Sequence, residues 1–208
     1  MVPVKGLERA KTRLRGAADG GVGDPERHAD LALALALDTL EAALSATLVG
    51  RVVVVTDDGR VAAGLRSMVG SASPGARLRI VRDEPAGGLN AALVHGAALL
   101  PPDQPRAALQ ADLPALRPAE LDQALATGGR AFVADAAGTG TTLLLTPAGA
   151  PLDPRFGPES ATAHEASGAT PVPGTLPGLR RDVDTEADLR EACALGVGAR
   201  TSGLLVCR

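Results

Sequence analysis

Short β-branched runs alternate along the chain with Ala/Leu stretches whose apolar positions recur at helical spacing. Val2–Val4, Arg51–Thr56, Leu78–Arg82, Ala107–Gln110, Ala131–Ala134 and Thr141–Leu145 read as strands, and a last strand is predicted over Leu179–Val183. Helices are predicted over residues 25–45, Val61–Met68, from Gly87-Gly88-Leu89-Asn90 to Leu100, over Pro118–Ala126, over Ser160–Ser167 and at about Glu186–Leu195. The first is ambiguous on pattern alone, because Leu31–Leu37 alternates Leu and Ala at a strand period. Leu33, Leu37, Leu40 and Leu44 also share a helical face, and Ala and Leu are strong helix formers. Asp24 followed by Pro25 adds an N-cap and first-turn signal, so helix is the prediction.

Strands alternating with helices at this spacing predict an α/β fold with a mostly parallel, right-handedly connected mixed sheet flanked by helices. A basic loop, Lys5–Arg15, and a Gly-rich segment, Gly16–Gly23, follow the first strand. The Gly/Pro-rich stretch Pro147–Pro158 reads as an active-site loop.

Composition narrows the function. At 208 residues the chain is read as a single domain, 1–208, and its 45% hydrophobic content suffices for a core. Phe132 and Phe156 are the only aromatics, so a base-stacking nucleic-acid surface is disfavoured. A net charge of -3 argues against a nucleic-acid polymer or an anionic membrane as partner. Cys193 and Cys207 are too few for a secreted disulfide scaffold, no apolar run is long enough to span a bilayer, and no signal peptide precedes the first strand. A cytoplasmic location is expected. Oligomeric state is left open, a homodimer being one option.

The two lysines, Lys5 and Lys11, fall in the first eleven residues, and every other fixed cation is Arg. In so Arg-rich a chain, retained lysines point to sites that need a compact ammonium, a frequent partner of nucleotide phosphates.

In an open α/β sheet, ligands sit beyond the carboxyl ends of the strands. Asp57/Asp58, Asp112 and Asp182/Asp184 are expected there. Asp182-Val183-Asp184 at a strand end would put both carboxylates on one side, and with Asp112 they could hold Mg²⁺. The competing readings are a solvated turn or an N-cap for the last helix, and Asp57-Asp58-Gly59 reads as a turn. Gly138-Thr139-Gly140 offers either close backbone approach to an anion or a plain hairpin turn. Gly157-Pro158-Glu159-Ser160 offers either N–H groups for a phosphate or an ordinary N-cap at Ser160. Gly87–Asn90 could approach a nucleobase or merely turn the chain. His28, His95 and His164 are scattered, and surface or core roles are expected for them.

Seven segments, taken together, resemble one family. They are VPVKGLERAKTRL (Val2–Leu14), VVVVTDD (Val52–Asp58), GLNAAL (Gly88–Leu93), ADLPALRPAEL (Ala111–Leu121), GTGTTLLL (Gly138–Leu145), DPRFGPES (Asp153–Ser160) and LRRDVDTEADLREACALGVGART (Leu179–Thr201). The family is the guanylyltransferases of coenzyme F-420 biosynthesis, which act on 2-phospho-L-lactate or phosphoenolpyruvate. The resemblance implies a Rossmann-like nucleotidyltransferase fold and Mg²⁺ at Asp112, Asp182 and Asp184, which with Lys11 form the catalytic set. It implies GTP along Lys5, Lys11 and Arg13, with guanine near Gly88, Leu89 and Asn90. It places the acceptor's phosphate and carboxylate near Thr142, Gly157 and Ser160.

Two departures stand out. The chain enters its first strand almost at once, where relatives usually carry a few more residues, which would weaken that edge. Glu159 stands where the family commonly has Gly, and its carboxylate is expected to face solvent, away from the acceptor phosphate.

The chemistry is consistent with the residues. A phosphate-monoester acceptor is mostly dianionic at neutral pH, so it attacks without a general base. The difficulty is bringing two polyanions together, which carboxylate-held cations and lysines address. With no Trp or Tyr to stack on, guanine must be chosen largely by hydrogen bonds. Other readings are a molybdopterin or sugar-phosphate nucleotidyltransferase, a metal-dependent glycosyltransferase using Asp182-Val183-Asp184, and a nucleotide sensor without activity. The Gly-rich loop usual after the first strand of the first class is replaced here by Pro3-Val4-Lys5-Gly6-Leu7. A GC-rich bacterial composition tilts the acceptor towards phosphoenolpyruvate.

Overall fold

A computed structural model describes residues 1–7, 11–69, 77–84 and 87–205. The middle of the predicted basic loop and Cys207 lie outside the described residues. The strands are β1 (Val2–Pro3), β2 (Val52–Val55), β3 (Leu78–Val81), β4 (Arg106–Leu109), β5 (Ala131–Ala134), β6 (Thr141–Thr146) and β7 (Thr170–Pro171). The helices are α1 (Pro25–Ser45), α2 (Gly59–Val69), α3 (Leu89–Ala98), α4 (Pro118–Leu125), α5 (Ser160–Ala166), α6 (Pro177–Arg180), α7 (Glu186–Leu195) and α8 (Ala199–Leu204).

β1, β2 and β3 form a parallel sheet, and a second sheet has the order β4-β6-β5-β7. β6 runs antiparallel to both β4 and β5, while β7 is parallel to β5. Met1 joins the two sheets: its nitrogen donates to the Ala107 carbonyl at 2.6 Å, and its carbonyl accepts from the Leu109 N–H at 3.0 Å. The strands therefore run in space as 3-2-1-4-6-5-7. The β5–β6 hairpin makes the sheet mixed, as the pattern predicted.

Alternate strand residues serve two faces. Val52, Val54, Leu109, Val133, Leu143 and Leu145 pack in the cluster that contains α1, α2 and α4 residues. Val53, Val55, Ala108, Phe132 and Leu144 pack with Ala92 and Leu93 of α3 and Ala161 of α5. Burial on both faces explains the unbroken Val52–Val55 run. α1 resolves as one helix from Pro25 to Ser45, with the Asp24 carboxylate accepting from the N–H groups of Glu26 and Arg27. The Leu/Ala alternation is overridden because both Ala and Leu positions are buried: α1 is packed on most of its circumference.

The predicted strand over Leu179–Val183 is replaced by α6 and an extended segment after it. Gly178 approaches the loop after β4 so closely that a Cβ there would lie 2.2 Å from the Ala115 carbonyl oxygen. Its N–H donates to Glu120 Oε1 at 3.0 Å. With Pro177 at the first turn, a helical turn satisfies this contact. No helix among the described residues is long and apolar enough to cross a membrane.

Candidate active site

Four segments that carry charge or support it meet over one small apolar cluster, which includes Leu14, Leu31, Leu35, Ala115 and Val183. Leu14 closes a 3₁₀ turn (Thr12–Leu14) directly after Lys11. Leu31 and Leu35 come from α1. Ala115 follows Asp112 by three residues, and Val183 lies between Asp182 and Asp184. Burying these side chains together therefore fixes where the charges emerge. Backbone bonds set the register: the Val183 N–H donates to the Asp112 carbonyl at 3.0 Å. The Leu113 N–H donates to Thr39 Oγ1 at 2.9 Å, and that hydroxyl donates to the Leu35 carbonyl of α1 at 2.8 Å.

Lys11 Nζ pairs with both Asp112 Oδ2 and Asp184 Oδ1. Its backbone is left-handed, with φ 54°, unusual for a residue with a Cβ. Burial disfavours the ammonium, but the two carboxylates outweigh it and push the lysine pKa upward. Asp182 is pushed up to about 7, first by burial and then by the charges of Asp112 and Asp184. Asp112 Oδ1 is buried without a hydrogen-bond partner. Among the described residues no three Asp, Glu, His or Cys side chains are drawn into a ready-made cage. The Lys11 ammonium bridges two of the three carboxylates instead. An orphaned carboxylate oxygen beside a strained-upward Asp182 suits a hard divalent cation, so these residues fit Mg²⁺.

A cavity of about 290 Å³ opens beside this cluster, lined among others by Lys5, Lys11, Leu89, Gln110, Asp112 and Asp184. It lies at the carboxyl ends of β1 and β4. Five residues singled out from sequence thus share one cavity wall. Arg13 is exposed on the 3₁₀ turn and does not line it. Gly88 precedes α3, and the Asn90 carboxamide makes two bonds to Phe156: Nδ2 donates to its carbonyl at 3.0 Å, and Oδ1 accepts from its N–H at 2.9 Å. Thr142 is buried and its hydroxyl donates to the Val133 carbonyl at 3.4 Å. Ser160 is buried at the start of α5, and Gly157 is exposed with φ 147°, a conformation suited to glycine. Glu159 is exposed and left-handed at φ 54°, so its carboxylate meets solvent as expected.

The other acidic and Gly-rich signals have structural roles. Asp58 caps α2 through the Arg60 and Val61 N–H groups and holds the Leu7 N–H at 2.9 Å. The Gly138–Gly140 stretch is a hairpin turn, whose Thr139 and Gly140 N–H groups donate to the Asp135 carboxylate. The sequence reading missed Gln110 and Thr39. Thr39 had a legible signal, a hydroxyl four residues after Leu35 on a face otherwise apolar.

His164 is fully buried. Its Nε2 accepts from the Arg155 N–H at 2.9 Å, and its Nδ1 lies 2.9 Å from Thr141 Oγ1. Burial, then the Arg130 charge, lowers its pKa to about 4, so the ring is neutral.

A family model described as "Guanylyl transferase CofC like" matches residues 1–164. The chain is 50% identical over 211 residues to the "Phosphoenolpyruvate guanylyltransferase" of Streptomyces coelicolor, covering 98% of this chain and 93% of that protein. It is 52% identical over 207 residues to the protein of the same name from Salinispora arenicola, covering 97% and 90%. Among solved structures, a nucleotidyl transferase from Methanothermobacter superposes with a TM-score of 0.55 at 22% identity, covering 93% of this chain and 96% of that one. That likeness speaks for the fold.

Proposed function

The chain belongs to the CofC-like guanylyl transferase family, and on that footing we propose that it transfers GMP from GTP to phosphoenolpyruvate in coenzyme F-420 biosynthesis. An oxygen of the acceptor's phosphate attacks the α-phosphorus of GTP. The bond from that phosphorus to the bridging oxygen of the β-phosphate breaks, and pyrophosphate leaves. The acceptor is already a dianion, so no proton need be removed and no histidine is required.

The observation that carries the proposal is the Lys11–Asp112–Asp184 cluster opening onto one cavity with Lys5 and Leu89. Asp112, Asp182 and Asp184 would hold Mg²⁺, which supplies charge screening between the two anionic substrates. Lys5 and Lys11 reach the triphosphate and take up the charge of the departing pyrophosphate. Residues 87–89 meet the base through their backbone, the Asn90 carboxamide being engaged with Phe156. The activity in the names of the two relatives favours phosphoenolpyruvate over 2-phospho-L-lactate.

The test is pyrophosphate release with Mg-GTP and each phospho-acid in separate reactions. Pyrophosphate with phosphoenolpyruvate is expected. Release of a nucleoside diphosphate from a nucleotide sugar would indicate a glycosyltransferase instead. Mg-GTP binding without pyrophosphate from any acceptor would reduce the protein to a sensor.

A further inference from the structure

His164 is among the buried polar groups to which the reaction gives no task. His164 uses both ring nitrogens on neighbouring segments. Because the Arg155 N–H can only donate, Nε2 must accept, and the ring proton is therefore assigned to Nδ1, from which it donates to Thr141 Oγ1. The ring packs edge-on to Phe156, with centroids 5.0 Å apart, and tilted against Phe132 at 6.2 Å.

Thr141 reaches this ring because of a β-bulge. The β5–β6 register pairs Val133 with Leu143 but Ala134 with Thr141, leaving Thr142 as the extra residue. Without the bulge, Thr141 would point with Leu143 and Leu145 towards α1. With it, Thr141 turns to the face that carries Phe132 and α5.

On the next residue, Asn90 holds both backbone polar groups of Phe156. Three of the four backbone polar groups of Arg155-Phe156, the N–H of Arg155 and the N–H and C=O of Phe156, are thus taken by two side chains. Neither anchor lines the cavity, but each is linked to its wall through neighbouring residues. Asn90 follows Leu89, which lines it. Thr141 precedes Thr142, whose carbonyl accepts from the N–H of Gln110, another lining residue, at 2.9 Å. Gly157 follows the clamped pair directly, and Ser160 lies one helical turn before His164 on α5.

We propose that His164 and Asn90 are positioning residues for the acceptor: together they clamp Arg155-Phe156 and so fix the positions of Gly157 and Ser160. This rests on the acceptor reading above. Neither side chain touches the reacting atoms. Their effect falls on the acceptor half of the site, because the Lys11, Asp112 and Asp184 cluster is held by a different set of contacts. Misplacing a substrate-positioning loop by about 1 Å can cost roughly a hundredfold in rate with subsaturating substrate.

The experiment uses the full chain and four variants: His164→Phe, which keeps a ring against Phe132 and Phe156, His164→Gln, whose amide oxygen can still accept from Arg155, Asn90→Ala, and His164→Phe with Asn90→Ala. Pyrophosphate release gives KM for phosphoenolpyruvate and kcat, calorimetry gives Mg-GTP affinity, and hydrogen exchange reads the Arg155 and Phe156 amides. Expected are a rise in acceptor KM of roughly tenfold or more for His164→Phe and Asn90→Ala, and Mg-GTP affinity within about twofold of the parent. The double variant should lose less than the product of the single effects, because both act on one loop. Partial rescue is expected in His164→Gln, with protection of the Arg155 amide restored in step. If the parent itself releases no pyrophosphate with phosphoenolpyruvate, the functional reading fails and this inference with it. If the parent is active and the variants keep a normal acceptor KM, or lose GTP affinity as much as acceptor affinity, the inference alone is overturned.

Discussion

Replacing Asp182 by Asn is expected to stabilise the metal-free protein while abolishing its turnover. In the native chain this carboxyl titrates at about 7 rather than 3.8, through burial first and then the charges of Asp112 and Asp184. Keeping it ionised at about pH 8 therefore costs about 4 kcal/mol. Relaxation among the three carboxylates returns part of that, and about 2 kcal/mol is a floor. For a chain of this size 1 kcal/mol moves the melting temperature by roughly 2–4 °C, so Asp182→Asn should melt about 5–15 °C higher than the parent in chelator. The sign fixes the pH dependence. Between pH 3.8 and about 7 the native chain holds a proton on Asp182 that the unfolded chain has lost, so the parent loses stability as pH rises through that window. The advantage of the variant should therefore shrink on acidification and vanish near pH 4. His164 acts in the opposite sense: its pKa of about 4 in the native chain, against 6.5, means the unfolded chain takes up the proton first as pH falls. That contributes stability lost between 6.5 and about 4, worth about 3 kcal/mol. The two slopes oppose each other in the parent, and Asp182→Asn unmasks the histidine's. Thermal unfolding in chelator at several pH values measures both. A variant no more stable than the parent at pH 8, or a pH-independent gap, would refute the reasoning.

Two other outcomes are expected. Lys11→Arg keeps the charge but widens the cation between Asp112 and Asp184, so it should weaken Mg-GTP binding and rate; Lys11→Ala should be worse, and calorimetry with pyrophosphate release would expose the error if both match the parent. Asp38→Ala removes a buried carboxylate that accepts from the Arg200 and Thr201 N–H groups at 3.2 and 2.8 Å. It should lower stability by about 2–3 kcal/mol, visible as a loss of roughly 5–10 °C on melting, with acceptor KM unchanged.

The strand–helix order and the acidic positions were legible because they depend on local pattern. β2 announces itself as four valines, and α1 by its cap and Leu spacing. Leu179–Val183 misled because its apolar residues serve tertiary contacts, Gly178 against Ala115 above all, which no local periodicity carries. Asp112 and Asp184 still meet at Lys11, since Val183 is buried between Asp182 and Asp184 whether or not the segment is a strand. His164 was expected at the surface or in the core, but its bonds were illegible for a related reason. Its partners are a backbone N–H nine residues away and a threonine aimed by a bulge, and neither leaves a mark in composition or spacing. Asn90 was singled out for the base from its motif, but its carboxamide binds the Phe156 backbone.

The tie between Asp112 and Val183 also orders events during synthesis. Asp112 leaves the ribosome about seventy residues before Val183, a lag of roughly 4–14 s at ordinary elongation rates. During that interval Lys11 can already neutralise Asp112, so the nascent sheet buries its carboxylate beside a cation. Asp38 has no such early companion among its bonded partners. It waits for Arg200 and Thr201, which emerge 162 and 163 residues later. A chain cut short before α8 would carry an unpaired charge in the middle of its longest helix. Such a product would lack the bonds by which α8 is locked onto α1.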